Sequence, residues 1–320
     1  MITSTRQQLA GLFRTFLEYE SVVDQSTSLA AYECDGLSAY RQTPLMVVLP
    51  KTIEEVQKIV IICADRNIPI VSRGAGTSLS GGALPHAEGI VLSLSKMNRI
   101  LNIDDNAQSI TVEPGIRNLA VSEAVKHLGL YYAPDPSSQI ACSIGGNVAE
   151  NAGGVHCLKY GLTLHNVLSV TIVTASGELL VLDQQSLQSQ GYDLLALVIG
   201  SEGMLGIVVE VILKLLPIPQ CARVILAVFD DVEKAGNSVA SIISGGIIPA
   251  GIEMMDNPAI RAAESFVNAG YPIDSAAILI CELDGTEAEV ESQISKVDRI
   301  LKDSGAIDTR LAKDDAERHL

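Results

Sequence analysis

Two glycine-rich stretches, RGAGTSLSGG at residues 73–82 and IGGNVAENAGG at residues 144–154, decide the fold of this chain. Each follows a short apolar run, and Arg73 is the only basic side chain in either. Glycine lets the backbone approach a ligand closely and adopt conformations that other residues avoid. We therefore interpret both stretches as loops whose main-chain N–H groups bind a polyanion. A third run of this kind, GSEGMLGI at 200–207, makes ordinary tight turns the weaker explanation.

Two familiar phosphate-binding motifs do not match the first stretch. A dinucleotide fingerprint needs glycine at its first, third and sixth positions, between a strand and a helix. Leu79 occupies the sixth position, and a strand-like run at 90–94 follows in place of the helix. A Walker A loop needs a lysine after its second glycine, where Gly82 stands. Both motifs are therefore excluded.

Longer runs around these stretches resemble the flavin domain of the vanillyl-alcohol-oxidase-type flavoproteins. They are PIVSRGAGTSLSGGA at 69–83, APDPSSQIACSIGGNVAENAGGVHCLKYG at 133–161 and GYDLLALVIGSEGMLGIVVEV at 191–211. The resemblance continues through YECDGLSAYR at 32–41 and GIEMMDNPAIRAAE at 251–264, so it covers nearly the whole chain. Within that superfamily the chain is most similar to the glycolate oxidase D subunits.

This resemblance implies an α+β fold, in which a PCMH-type FAD-binding domain of two α+β subdomains precedes an incomplete α/β substrate (cap) domain. The expected division is an N-terminal helix and lead-in segment at 1–43, the FAD-binding domain at 44–219 and a partial C-terminal domain of FAD-linked oxidases at 220–320. The D subunits continue past this length and carry a His-x-Gly-Asp-Gly-Asn-x-His type of motif that this sequence lacks. We therefore expect the catalytic residues C-terminal to Leu320, in a truncated product or a fragment.

FAD is the cofactor that the resemblance implies. A nest of backbone N–H groups suits its pyrophosphate, and the first stretch contains neither His nor Cys, so we expect non-covalent binding. The second stretch would follow the ribityl chain and isoalloxazine, and residues near 202–207 the adenosine half or the far edge of the ring. Arg73 has a competing interpretation as a surface salt-bridge residue, and Asn147 and Glu202 as caps of a helix or turn. The expected cofactor-binding residues are Arg73, Gly74, Ala75, Gly76, Thr77, Ser78, Gly81, Gly82, Pro134, Asp135, Ser138, Gly145, Gly146, Asn147, Ala152, Gly153, Glu202, Gly206 and Ile207.

The resemblance also implies an activity. A small 2-hydroxy acid, glycolate or D-lactate, would be oxidised to the 2-oxo acid by hydride transfer to flavin N5. The chain has no iron–sulfur ligands of its own, so the electrons would pass to a partner that carries them or to a quinone. The resemblance points to partner subunits similar to the E and F subunits of glycolate oxidase. An alternative stays open, in which the chain is a truncated flavin-binding module or assembly subunit without turnover of its own.

Composition restricts the remaining classes. The 320 residues are 48% hydrophobic and carry a net charge of −16, which argues against binding to nucleic acid or to an anionic membrane surface. No apolar run reaches the ~18–20 residues that span a bilayer, and no signal peptide is recognised, so we expect a cytoplasmic protein that reaches the inner face of the membrane only through partners. The six cysteines form no C-x-x-C pair, so we expect reduced thiols and no metal site. The five histidines are interpreted as structural.

Apolar periodicity and capping signals predict the local elements. Residues 45–71 and 109–132 each read as a β-α-β unit, the first with a capping box formed by Thr52 and Glu55. After Pro217 the pattern changes to alternating strands and helices, with helices expected on one face of a sheet. The other predicted elements are a helix at 6–19, a hairpin at 166–181 that turns at 175–177, a strand at 205–219, strands at 224–229, 247–254 and 277–283, helices from an Asp230/Glu233 capping box to 244, at 258–268 and at 287–303, and a helix at 314–320.

Overall fold

A computed structural model describes residues 2–183 and 191–312, with side chains from residue 6 onward. The chain forms two compact units, and the first is not continuous in sequence. It consists of Met1–Gly153 and Leu162–Leu216, whereas the second consists of Gly154–Gly161 and Pro217–Leu320. The segment 154–161 therefore belongs to the second unit although it lies inside the sequence of the first.

The elements are numbered here in chain order. The strands are β1 (Val22–Val23), β2 (Met46–Val48), β3 (Ile70–Arg73), β4 (Ile90–Ser93), β5 (Ile100–Asp104), β6 (Ser109–Val112), β7 (Leu130–Tyr131), β8 (Val167–Val173), β9 (Leu179–Asp183), β10 (Ile207–Lys214), β11 (Leu216–Pro217), β12 (Cys221–Phe229), β13 (Gly251–Asp256), β14 (Ala277–Gly285) and β15 (Asp308–Leu311). The α-helices are α1 (Ile2–Phe13), α2 (Ser26–Leu29), α3 (Ile53–Asp65), α4 (Asn118–Val125), α5 (Ile144–Glu150), α6 (Cys157–Tyr160), α7 (Thr163–Asn166), α8 (Leu194–Val198), α9 (Val232–Ser244), α10 (Asn257–Val267) and α11 (Glu287–Asp303).

The first sheet of the first unit has the strand order β1-β2-β4-β3, and both β2 and β3 run parallel to β4. The first predicted β-α-β unit is thus present, with β4 inserted between its two strands. Helix α3 packs on this sheet through Val56, Ile59, Val60 and Cys63. Strands β2 and β4 are buried along their whole length, which is why both read as unbroken apolar runs.

The capping box at the start of α3 differs in one partner. Thr52 accepts a hydrogen bond from the Glu55 backbone N–H, as predicted. The Glu55 carboxylate, however, accepts from the backbone N–H of Lys51 at 2.6 Å rather than from that of Thr52.

Helix α1 also differs from its prediction, because it ends at Phe13 although the prediction continued to residue 19. Leu17 still packs in the same core, so the apolar spacing reflects burial more than helix length.

The second sheet of the first unit has the order β5-β6-β10-β8-β9, and every pair of neighbours is antiparallel. The predicted hairpin is formed by β8 and β9, with Gly177 at a φ of +81°. The second predicted β-α-β unit is wrong, because β7 lies outside this sheet and the neighbours of β6 are antiparallel to it. Alternation of strand and helix patterns alone does not show that two strands share a sheet.

Residues 144–150 form helix α5, which corrects the prediction of a loop throughout 144–154. The Ser143 side chain caps the helix by accepting from the Gly146 N–H. Ile144 and Val148, one turn apart, are both fully buried in the core beside the second sheet. Capping and burial outweigh the low helix propensity of the two glycines. Asn151 then ends the helix in the left-handed conformation, at a φ of +49°.

The second unit contains an antiparallel sheet of order β13-β14-β12-β15. Helices α9 and α11 pack on one face, but Ile260 of α10 packs with Val228 and Ile278 on the other, so the prediction that all helices share one face is wrong. Asp231 caps α9 rather than Asp230. Strand β13 begins at Gly251, four residues after its predicted start, and β15 was not predicted. The helix predicted at 314–320 lies outside the described residues.

A polar contact holds the segment 154–161 on this sheet. Lys159 Nζ forms an ion pair with the Asp284 carboxylate and donates to the Asp284 backbone carbonyl at 2.7 Å. The Tyr160 hydroxyl donates to the other carboxylate oxygen at 2.6 Å. Asp284 is 8% exposed, so these partners rather than water satisfy its carboxylate oxygens.

Candidate functional site

A cleft of about 170 Å³ lies within the first unit, where the end of β3, the start of α5 and the turn before β10 meet. Fourteen of the expected cofactor-binding residues line it. They are Arg73, Gly74, Ala75, Gly76, Thr77, Ser78, Gly82, Ser138, Gly145, Gly146, Asn147, Ala152, Glu202 and Gly206. All three glycine-rich stretches, which lie far apart in sequence, therefore contribute to one cleft.

Five expected residues do not line this cleft. Pro134 uses its carbonyl to accept a hydrogen bond from Asn118 Nδ2 at 3.0 Å, and Ile207 is a core residue of β10 at 8% exposure. Gly81 faces the Leu37 side chain. The other two, Asp135 and Gly153, are also absent from the lining.

A second cleft of about 560 Å³ shares Gly74, Ala75 and Ser143 with the first. The backbone at Gly74–Ala75 therefore separates two adjacent openings. Asn98 and Arg117 are among the polar residues of the second cleft. Neither residue was expected at a site, because no glycine-rich stretch contains them.

Close backbone approach explains the glycine at position 74. A Cβ atom built there would overlap the Ser143 Oγ atom and lie 3.5 Å from the Gly146 backbone nitrogen. The same Oγ accepts from the Gly146 N–H at 3.3 Å, so the first stretch rests directly on the first turn of α5. Any larger residue at 74 would have to displace this cap.

Arg73 is buried rather than placed on the surface, with 9% of its area exposed. Its Nη1 donates to the Cys34 backbone carbonyl at 2.8 Å, and its guanidinium carbon lies 5.6 Å from the centre of the Tyr32 ring. A Cβ atom at Gly76 would overlap Nη2 and lie 2.5 Å from Cζ. The guanidinium thus packs against Gly76, whose φ of +72° favours glycine on its own account.

The deepest polar group of the cleft is the Asn147 side chain. Asn147 is 3% exposed, and none of the described residues accepts a hydrogen bond from its buried Nδ2. A buried donor without an acceptor costs about 1–3 kcal/mol. Because Asn147 lines the cleft, an acceptor on a bound ligand can remove that cost.

Two carboxylates, those of Glu150 and Glu202, make another part of the same cleft acidic. A Cβ atom at Gly82 would lie 2.8 Å from Glu150 Oε1 and 3.6 Å from Glu202 Oε2. The other Glu150 oxygen accepts from the Ser80 hydroxyl at 2.9 Å. Glu202 has a φ of +54°, and its N–H donates to the Ala149 carbonyl, so the third stretch packs onto α5. An anionic ligand group is therefore favoured away from Gly82, nearer Gly74 and Asn147.

Sequence reasoning missed eleven residues of the cleft, most of them small or apolar. Ala149, Glu150 and Gly203 lie inside the glycine-rich stretches, and Ser143 could have been found as the cap of a helix. The others carry no signal beyond their neighbourhood. The missed residues are Ser72, Ala83, Leu94, Pro114, Pro136, Cys142, Ser143, Ala149, Glu150, Gly203 and Val208.

Within residues 2–183 and 191–312, no group of three or more His, Cys, Asp or Glu side chains could hold a metal ion. Over the same residues, no helix is long and apolar enough to cross a bilayer.

Comparison with known proteins identifies the fold and the family. Residues 44–183 match a family model described as an FAD binding domain, and residues 218–319 match one described as the C-terminal domain of FAD linked oxidases. The chain belongs to the FAD-linked oxidase family. The expectation that FAD is the cofactor is thereby confirmed.

Curated relatives of this FAD-linked oxidase include two proteins named glycolate oxidase subunit GlcD. The one from Escherichia coli K12 is 58% identical over 93% of this chain and 60% of its own length, and the one from Bacillus subtilis is 38% identical over 93% and 64%. A D-lactate dehydrogenase from Anaerostipes hadrus is 33% identical over 87% and 60%. The chain therefore spans about three-fifths of the length of the curated relatives that it matches.

Solved structures of this fold include an alkyldihydroxyacetonephosphate synthase, with a TM-score of 0.83 at 20% identity over 98% of this chain and 62% of that one. Another is a p-cresol methylhydroxylase with substrate bound, with a TM-score of 0.79 at 19% identity over 95% and 65%. The prediction of a PCMH-type α+β fold is confirmed.

The lining of this cleft suits the diphosphate of a flavin dinucleotide. Its walls near Gly74 and Gly76 have no room for a Cβ atom, so backbone can approach a ligand closely. The Asn147 amide supplies a buried donor that lacks an acceptor. A diphosphate offers acceptors of that kind, and backbone N–H groups bind it well.

Proposed function

We propose that this chain is the flavin-binding part of an oxidoreductase that converts glycolate or D-lactate to the corresponding 2-oxo acid. The observation that carries the proposal is the glycine-lined cleft with its unpaired Asn147 amide, in a chain of the FAD-linked oxidase family. The names of the relatives support this substrate class, since two are glycolate oxidase subunits and one is a D-lactate dehydrogenase.

We assign the residues of the first stretch, from Arg73 to Ser78, to the pyrophosphate. Their backbone N–H groups bind its oxygens, and Asn147 Nδ2 donates to an acceptor deeper in the cleft. Glu150 and Glu202 would repel phosphate, so we place the hydroxyl-bearing or amine-bearing parts of the cofactor near them. Bound FAD supplies the hydride acceptor, flavin N5. The first stretch offers no His or Cys for a covalent link, which supports non-covalent binding.

The proposal also assigns a role to each part of the chain. We assign residues 1–43 to a lead-in segment, 44–219 to FAD binding and 220–320 to a partial substrate domain. None of the residues that line the cleft is a histidine. We therefore place the base that takes the hydroxyl proton in the longer part of the relatives, C-terminal to the position of Leu320.

Partners follow from the names of the relatives, which call them subunits. We propose that the electrons pass to partner subunits of the E and F types and that the assembly works in the cytoplasm, where such partners could hold it at the inner face of the membrane.

The proposal is tested by preparing two proteins, the 320-residue chain and a version extended to the length of the relatives. We expect each to bind one FAD per chain. Under anaerobic conditions, glycolate or D-lactate should bleach the flavin absorbance of the extended protein. Proteins that do not bind FAD would overturn the assignment. FAD bound in the extended protein but reduced by neither acid would favour a flavin-binding module without turnover.

A further inference from the structure

The segment Tyr32–Leu37 precedes the first sheet and packs against the first glycine-rich stretch. A Cβ atom at Gly36 would lie 2.8 Å from the Ser78 carbonyl oxygen and 2.9 Å from that of Thr77. Leu37 contributes its side chain 3.8 Å from the corresponding position of Gly81. None of residues 32–37 lines either cleft. The segment therefore touches the stretch without lining either cleft.

The Arg73 side chain contacts both the segment Tyr32–Leu37 and the turn of the first glycine-rich stretch. Its Nη1 donates to the Cys34 carbonyl, and its guanidinium lies over the Tyr32 ring. Burial lowers the pKa of Arg73, while the negative charge of Asp35 opposes that effect. The guanidinium also packs against Gly76, so it occupies the space between the segment and the turn of the stretch.

Asp35, which belongs to the segment Tyr32–Leu37, is buried and held by a hydrogen bond within that segment. It is 7% exposed, and its Oδ1 accepts from the Leu37 N–H at 2.9 Å, which closes a tight turn around Gly36. Its Oδ2 is buried and accepts no hydrogen bond from any described residue. Arg73 is the neighbouring cation, because its Nη1 bonds the carbonyl of the adjacent Cys34 and its charge interacts with that of Asp35.

We propose that Tyr32–Leu37 is a positioning element for the cofactor, which holds the first glycine-rich stretch in its binding conformation, with Arg73 as the latch between the two. The inference rests on the proposed function, in which this stretch binds the pyrophosphate. Ordering each loop residue costs about 1–2 kcal/mol. A stretch that is already ordered by contacts with Tyr32–Leu37 binds without that cost, so affinity also depends on a segment that lines neither cleft.

The first test is Gly36→Ala in the 320-residue chain, because the new methyl group would press on two backbone carbonyls of the stretch. Gly11→Ala is the matched control, since a Cβ atom there would have no neighbour within 4 Å. We expect Gly36→Ala to raise the Kd for FAD at least tenfold in a titration of apoprotein followed by flavin fluorescence. Gly11→Ala should leave the Kd unchanged. The unfolding temperature of each apoprotein shows whether the loss is confined to binding.

The second test separates a latch from a direct ionic contact. Arg73→Lys keeps the charge but loses the planar fork that bonds Cys34 and stacks on Tyr32. A latch predicts that Arg73→Lys and Arg73→Gln lose FAD affinity equally, at least tenfold. A direct contact with phosphate predicts that Arg73→Lys retains affinity and Arg73→Gln loses it, and this result would overturn the proposal.

A third variant distinguishes failure of this inference from failure of the proposed function. Gly76→Val blocks the stretch itself. If Gly76→Val loses FAD while Gly36→Ala binds like the control, the stretch binds the cofactor but the segment does not position it. If Gly76→Val binds FAD normally, the assignment of the stretch to the cofactor is wrong. Should Gly36→Ala not fold, the comparison of the two Arg73 variants decides.

Discussion

Replacing Gly76 by alanine tests whether packing against Arg73, and not only backbone conformation, requires glycine there. Gly129 is a matched control, because its φ of +70° is close to the +72° of Gly76. Alanine in this conformation costs about 1–2 kcal/mol at either position. A Cβ atom at Gly129 has no neighbour within 4 Å, whereas one at Gly76 would overlap the Arg73 guanidinium.

The additional cost at Gly76 comes from the displaced guanidinium. To make room, Arg73 must give up the 2.8 Å bond to the Cys34 carbonyl, in a place where it is 9% exposed. A hydrogen bond from a charged donor contributes about 1.5–3 kcal/mol. We therefore expect Gly129→Ala to lower the free energy of unfolding by about 1–2 kcal/mol and Gly76→Ala by about 2.5–5 kcal/mol, on the sum of these two contributions.

The assay is urea unfolding of the apoproteins followed by circular dichroism, with a double-mutant cycle. In an Arg73→Ala background no guanidinium is present, so the cost of Gly76→Ala should fall to that of Gly129→Ala. FAD affinity should fall in Gly76→Ala and persist in Gly129→Ala. Equal losses of stability in the two single variants, or an excess at Gly76 that survives in the Arg73→Ala background, would refute the reasoning.

Three further outcomes are expected. Lys159→Met should destabilise the protein by about 3 kcal/mol in thermal unfolding, because it leaves the buried Asp284 carboxylate without its cation. The control Lys302→Met removes an exposed ion pair with Asp298 and should cost less than about 1 kcal/mol. Similar losses of stability in the two variants would contradict this expectation. Burial raises the pKa of the Cys63 thiol to about 12, so only about one in 10⁴ is ionised at pH 8 and iodoacetamide should leave it unmodified by mass spectrometry in the folded protein; rapid labelling would argue against the burial. Acid precipitation should release FAD into the supernatant, and flavin retained in the pellet would indicate a covalent link.

Helices α3 and α11 could be predicted from the sequence because local and tertiary signals agree. Helix α11 spans Glu287–Asp303, the predicted range, with a complete capping box of Thr286 and Glu289 at its start. Helix α5 could not be predicted in the same way. Its glycines oppose helix formation, and the burial of Ile144 and Val148 that overcomes them depends on strands far away in sequence. The same holds for β7, whose sheet partners no local pattern specifies.

The residues of the candidate site could likewise be predicted only in part from the sequence. Main-chain binding leaves a signal in the sequence, since it requires glycine, and all three glycine-rich stretches meet at one cleft. Residues that support the stretches from behind leave a weaker signal. Asp35 and Tyr32 have ordinary polar and aromatic side chains, and only the structure shows them grouped around the guanidinium of Arg73.

The interrupted sequence of the second unit has a consequence for protein synthesis. Lys159 and Asp284 are 125 positions apart, so at about 5–20 residues per second the ribosome delivers the acid on the order of 10 s after the lysine. During that interval the segment 154–161 has emerged without the sheet that it covers. The first unit must then form around a segment that is still unbound, and the second unit can close only after β15, the last strand of its sheet, has also been synthesised.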